Sequence, residues 1–144
     1  DYVVSAIGVL PDGKILAGGD FTTLGGQPRS YIGRLSSDTA MQQEMAMGTF
    51  GAAVTWMRSG PGPEVQHVTF ELSTDQVNFT LLGEGTRIPG GWELTPLALP
   101  RGQHLWIRAR GFYASGYYNG SGSVVEAVLN AYLPYLTFDP VVLR

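Results

Sequence analysis

The stretch Val65-Gln66-His67-Val68-Thr69-Phe70-Glu71-Leu72-Ser73 decides the fold class. Read in steps of two, Val65, His67, Thr69, Glu71 and Ser73 fall on one side, and Val68, Phe70 and Leu72 fall on the other. Successive side chains of an extended chain point to opposite faces, so this alternation predicts a strand with one face in a core and one in water.

The same reading extends outward. Upstream, Met41, Met45, Met47, Val54 and Trp56 alternate around a break at Gly51, until Ser59-Gly60-Pro61-Gly62-Pro63 stops the run. Downstream, Phe79 to Leu82, Trp92 to Leu99, Leu105 to Ala109 and Val124 to Tyr132 complete a set of about seven short strands separated by Gly/Pro turns, the spacing of a sandwich. In Ser123 to Leu133 the residues Val124, Val125, Val128, Leu129 and Tyr132 also fit a helical stripe; the alternation favours a strand there. Nearer the start, Tyr2 to Leu10 and Ile15 to Gly19 flank Pro11-Asp12-Gly13-Lys14, a hairpin turn. A Gly/Thr-rich loop from Asp20 to Pro28 then leads to a third strand, Tyr31 to Leu35, which ends at Ser36-Ser37-Asp38. The expected architecture is all-β. A partial propeller-type blade of about three strands occupies residues 1–38, an antiparallel β-sandwich, immunoglobulin-like or similar, residues 39–133, and an extended segment residues 134–144.

Composition narrows the function classes. At 144 residues the chain has room for one moderate core and a small appendage. Charged residues make up 15%, against roughly 25% in an average soluble domain, and the 20 glycines suit a turn-rich β protein. The net charge is -3, and Lys14 is the sole lysine, so no basic stripe exists to neutralise a phosphate backbone and nucleic acid is not an expected partner. The absence of cysteine removes disulfides, thiol catalysis and thiolate metal sites. No apolar run approaches the roughly 20 residues that span a bilayer as a helix. The sequence begins at Asp1 without methionine or a signal pattern, and reads as a piece of a longer chain with any signal peptide upstream.

The run Val4-Ser5-Ala6-Ile7-Gly8-Val9-Leu10-Pro11-Asp12-Gly13-Lys14-Ile15-Leu16-Ala17-Gly18-Gly19-Asp20-Phe21-Thr22-Thr23-Leu24-Gly25-Gly26-Gln27 closely resembles the delta-60 repeat, a propeller-like repeat of large bacterial surface proteins. Tyr31-Ile32-Gly33-Arg34-Leu35 is similar to the repeat's closing strand. Ala53 to Glu126 resembles a segment that follows such repeats, with Thr55-Trp56, Pro63-Glu64-Val65, Phe70-Glu71, Gly90-Gly91-Trp92-Glu93-Leu94-Thr95, Ile107-Arg108-Ala109-Arg110-Gly111 and Asn119-Gly120-Ser121 as signposts. The resemblance implies repeated blades, a bacterial origin, export to the medium or cell surface, and an adhesive or recognition role without catalytic residues. Repeat units bury their faces against neighbours, so a single blade has to pack on the sandwich, pair with a second copy, or leave an edge exposed.

The most function-like residues are Arg108, Arg110 and Tyr113 with Tyr117, Tyr118 and Asn119, to which Trp92 adds an aromatic platform. Aromatic faces stack on sugar rings, and arginine and asparagine hydrogen-bond hydroxyls and carboxylates. The competing reading makes the tyrosines part of the sandwich rim and pairs the arginines across strands with Glu71 or Glu93. Trp56 and Trp106 are expected in the core, and Trp92 either there or at the surface. His67 and His104 lie in strands without a surrounding motif and are expected as exposed or hydrogen-bonded strand residues, which leaves no nucleophile–base pair and argues against an enzyme. No cofactor is expected; calcium is the one metal worth naming, on Asp12 and Asp20. Asn78-Phe79-Thr80 and Asn119-Gly120-Ser121 match the glycosylation pattern, which a bacterial protein usually leaves unmodified.

Three functions follow from these residues. The first is a non-catalytic binding or adhesion module whose partner is a saccharide or another surface protein. The second is a structural cap of the repeat array that self-associates through a blade edge. The third, a hydrolase, has no motif to support it.

Overall fold

Alternation in Gln103–Ala114 sets the architecture: Leu105, Ile107, Ala109, Gly111 and Tyr113 are buried, while His104, Trp106, Arg108, Arg110 and Phe112 between them face outward. In the computed structural model, which describes residues 3–10, 12–36, 40–114 and 122–136, this segment is the longest strand together with its partner Gly122–Leu133.

Thirteen strands are described. The blade holds β1 (Val3–Val9), β2 (Ile15–Asp20), β3 (Thr23–Leu24), β4 (Gln27–Pro28) and β5 (Ile32–Leu35). The sandwich holds β6 (Gln42–Met47), β7 (Val54–Ser59), β8 (His67–Ser73), β9 (Thr80–Glu84), β10 (Thr86–Ile88), β11 (Gly91–Leu94), β12 (Gln103–Ala114) and β13 (Gly122–Leu133). One sandwich sheet has the order β10-β11-β7-β6 and the other β13-β12-β8-β9, and every pairing is antiparallel. Ser123 to Leu133 is therefore strand, held to β12 from Gln103↔Leu133 to Ala114↔Gly122.

The two sheets close on one core. Val54, Trp56 and Trp92 come from the first sheet, and Val68, Phe70, Leu105, Ile107, Val125 and Leu133 from the second, with Val65 and Leu99 added by loops. Each large apolar side chain removed from water here contributes about 1.5–3 kcal/mol. Gly111 of β12 faces Trp56 of the opposite sheet. A Cβ there would stand 2.8 Å from Cζ3 of Trp56, so only glycine leaves room for the indole.

Trp106 departs from expectation. It is half-buried on the outer face, because its neighbours Leu105 and Ile107 take the inward positions and parity forces it outward. The strand expected over Trp92 to Leu99 ends at Leu94, before Pro96, which has no N–H to give a ladder. The strand expected from Phe79 to Leu82 runs instead from Thr80 to Glu84.

The blade is a three-stranded antiparallel sheet of order β1-β2-β5. Ile7, Ala17 and Gly33 form one cross-strand row. The β3–β4 hairpin lies over this face, with Leu24 against Gly33 and Leu35 against Gly25. Ala17 and Phe21 are buried there, apart from the sandwich core. Val3, Ile7 and Ile32 remain exposed. The β1–β2 turn touches the sandwich, where Gly13 meets the backbone of Pro61.

Candidate functional site

The outward residues of β12 form the middle row of a polar and aromatic face. Cross-strand pairing sets Trp106 beside Ser73 and Asn130, Arg108 beside Glu71 and Val128, and Arg110 beside Thr69 and Glu126. Arg108 Nε donates to Glu71 Oε2 at 2.6 Å, and the guanidinium lies 4.0 Å above the ring of Phe79. Arg110 Nη1 is 3.7 Å from Glu71 Oε1. Its Nε stands 2.8 Å from Glu126 Oε1 without the alignment of a hydrogen bond. His67 stacks on Phe112 at 4.4 Å, and His104 lies against Tyr132 at 5.2 Å with Nδ1 3.3 Å from Asn130 Oδ1. Two carboxylates thus occupy both arginines. The centre of this face is a self-neutralised ladder of cross-strand pairs, with Glu71 as the shared partner; Glu93 lies on β11, in the opposite sheet.

Of the residues expected to form one ligand patch, Trp92 and Tyr113 do not share a face with Arg108 and Arg110. Trp92 is 8% exposed and faces inward, paired with Trp56. Tyr113 is 9% exposed and also faces inward, because it has the parity of Leu105 and Ile107, whereas Arg108 and Arg110 have the opposite parity. Trp92 and Tyr113 are core residues rather than an exposed platform. Tyr117, Tyr118 and Asn119 lie outside the described residues.

A different aromatic group gathers where the two sheets meet at β6 and β13. A groove of about 500 Å³ is lined by Met47, Phe50, Arg101, Tyr132, Tyr135 and Leu136, among others. Phe50 belongs to a single 3-10 turn, Thr49–Gly51, and has left-handed backbone angles (φ 58, ψ 18) that turn its ring out of the chain. This conformation is costly for a residue with a Cβ. Tyr135 lies over the backbone of Gly102, where any side chain would collide with its ring. Arg101 joins the two walls, donating to Phe50 O at 2.7 Å and to Pro134 O at 3.3 Å. Phe50, Tyr132 and Tyr135 are 66%, 54% and 71% exposed. Tyr132 was readable from the parity of β13, but no local signal marks Phe50, Arg101 or Tyr135, which come from two loops and the segment after β13.

Asp12 accepts from the Lys14 ammonium and from the Lys14 backbone N–H, and the side-chain bond in particular holds its carboxyl below the ordinary carboxylate range. Among the described residues no group of three His, Cys, Asp or Glu side chains is arranged to hold a metal, and no helix is long and apolar enough to cross a membrane.

A family model described as a domain of unknown function (DUF5122) beta-propeller matches residues 10–38. That match spans the β1–β2 turn, β2 and the remaining blade strands, and supports a propeller-like repeat in this part of the chain. No curated protein and no solved structure matches the chain.

Proposed function

We propose that this chain is a non-catalytic binding module of a secreted or cell-surface bacterial repeat protein. In this reading the blade is a last repeat of the delta-60 type, and the sandwich takes a saccharide in the Phe50–Tyr132–Tyr135 groove. The observation that carries the proposal is the group of three exposed aromatic rings around one open groove. Soluble proteins rarely leave contiguous aromatic surface in water, and such rings offer apolar faces to the C–H surface of a sugar while Arg101 and the tyrosine hydroxyls offer hydrogen bonds. A non-catalytic role is supported by the two histidines, since His67 is stacked on Phe112 and His104 is held by Asn130 and Tyr132.

The test is a glycan-array screen of the wild-type chain beside a Tyr132→Ala, Tyr135→Ala double variant, with folding followed by circular dichroism. Both rings are more than half exposed, so their removal leaves the core intact. Saccharide binding that the folded variant loses supports the proposal. A folded wild-type chain that retains no glycan overturns it.

A second reading, a structural cap that self-associates, is favoured by one observation. The outer edge of β1 has no strand partner among the described residues, and exposed Val3 and Ile7 lie along it. Its measure is the mass in solution: a concentration-dependent dimer supports it and a monomer at high concentration removes it.

A further inference from the structure

At the other end of the sandwich two arginines stack on two tryptophans. β7 runs from Val54, near the aromatic groove, to Arg58 and Ser59 at the far end. Trp56, Trp92 and Arg87 form one cross-strand row on the inward face, and Arg58 follows two residues after Trp56. The Arg58 guanidinium carbon is 5.1 Å from the Trp56 ring centre, and that of Arg87 is 5.2 Å from the Trp92 ring centre. Two flat cations are therefore stacked on indole faces, with part of each N–H edge already bonded within the chain: Arg58 to Pro63 O, and Arg87 to Val65 O and Glu64.

The donors there outnumber their acceptors. Arg58 Nη1 donates to Pro63 O at 3.0 Å, and Nη2 lies 3.4 Å from Met41 Sδ, a weak acceptor. Arg58 Nε and Trp56 Nε1 are both buried and have no hydrogen-bond partner among the described residues. An unsatisfied buried donor is expensive, and more so when it carries charge. Glu64 is the sole carboxylate among the described residues lining the hollows on either side of Arg58, and it is already bound to Arg87 Nη2 at 2.6 Å. One negative charge thus faces two positive ones. Burial pushes the Arg58 guanidinium below its ordinary value; Glu64 acts against this, and the nearby Arg87 adds to it. A bound anion would relieve both.

Space for one is present. A hollow of about 90 Å³ lies between Arg58, Glu64, Arg87 and Trp92, and another of about 80 Å³ lies between Arg58, Ser59, Pro63 and Glu64. At ~30 Å³ per water, each holds the equivalent of two or three water molecules, the size of a carboxylate group. Arg58 is also a wall of a wide trough of about 670 Å³ that runs along Met41, Gln42 and Met57, with Glu44 as its one carboxylate among the described residues. The ligand's remaining atoms have a way out.

The geometry points to a carboxylate-binding site at this end of the sandwich, with Arg58 and Arg87 as the paired recognition residues. The site accepts the carboxylate of an acidic ligand from the trough, and the planar guanidinium edges match the two oxygens. It does not depend on the aromatic groove.

The experiment is a titration of the 15N-labelled chain with sodium acetate and with sodium glucuronate, reading the arginine Nε–Hε signals by NMR. Sodium chloride at equal ionic strength and neutral glucose are the controls. The expected result is a saturable shift of the Arg58 and Arg87 signals with both carboxylates and with neither control. Arg87→Gln, at a more exposed position, is expected to weaken that binding about tenfold, the effect of losing one charge-assisted hydrogen bond. Arg58→Lys keeps the charge and removes the flat edge, and is expected to abolish saturation. Tyr132→Ala leaves the titration unchanged, which separates this site from the groove. Absence of a saturable shift in the folded wild-type chain overturns the inference, as does unchanged affinity in Arg87→Gln.

Discussion

Replacing Gly111 by alanine measures how tightly the two sheets close. The added Cβ would stand 2.8 and 2.9 Å from Cζ3 and Cη2 of Trp56 and 2.9 Å from Cγ1 of Val65. Comfortable carbon contacts lie at ~3.5–4.0 Å, so three contacts fall well inside the repulsive wall at once. Neither neighbour has room to retreat: Trp56 is 0% and Val65 2% exposed, and the Arg58 guanidinium covers the indole. Overpacking of this kind costs about 1–3 kcal/mol. For a chain of this size each kcal/mol lowers Tm by roughly 2–4 °C. Gly8→Ala is the control, because a Cβ at Gly8 meets nothing within 4 Å. Guanidinium unfolding followed by tryptophan fluorescence, with a calorimetric scan beside it, gives both quantities. Gly111→Ala unfolding within about 0.5 kcal/mol of wild type, the range of a neutral surface change, refutes the close approach of β12 to β7.

Two further predictions rest on side-chain networks. Glu71→Gln strips Arg108 and Arg110 of their shared carboxylate, whose side chain is only 14% exposed, and is expected to cost on the order of 1–2 kcal/mol in urea unfolding. Glu126→Gln, at a more exposed pair, should cost less than about 1 kcal/mol; equal losses would contradict the central role of Glu71. Asp75 accepts from the backbone N–H groups of Asn78 and Val77, the Asn78 amide and the Ser73 hydroxyl, and the Asn78 backbone bond above all holds its carboxyl well below the usual range. A carboxyl depressed in the folded state adds stability above its unfolded value, near 3.9, and loses it as pH falls through the folded value. Asp75→Asn should therefore lower Tm near neutral pH, with the gap to wild type narrowing below about pH 4. A gap that stays constant across that range would show that the carboxylate charge is not what holds the turn.

Parity explains both what was legible in the sequence and what was not. The period of two in Val65–Ser73 and Leu105–Ala109 identified strands and, with the turns between them, a two-sheet architecture. The same period, counted from Leu105 and Ile107, already puts Trp106, Arg108 and Arg110 outside and Tyr113 inside. The expectation that a sandwich buries a large aromatic from an alternating strand between its sheets put Trp106 in the core, where the neighbouring residues leave it no place. Ser123 to Leu133 was ambiguous for a physical reason. Val124, Val125, Val128, Leu129 and Tyr132 fit one face of a helix as well as an extended strand, and only the partner strand β12 decides. The aromatic groove was not legible, because Phe50, Arg101 and Tyr135 meet through loop geometry rather than through any periodic pattern.

The length of β12 sets how the two candidate sites relate. His104 lies at the groove end and Tyr113 near the arginine end, nine residues apart in one extended strand, or about 30 Å at ~3.4 Å per residue. Between them every residue is laddered to β13, and most are laddered to β8 as well. A strand paired in this way along its length is expected to behave as one rigid body and to carry no coupling between its ends. Saturating one end should leave the other end's isotherm superimposable on that of the free protein. Only a ligand long enough to span the strand would gain by holding both ends at once.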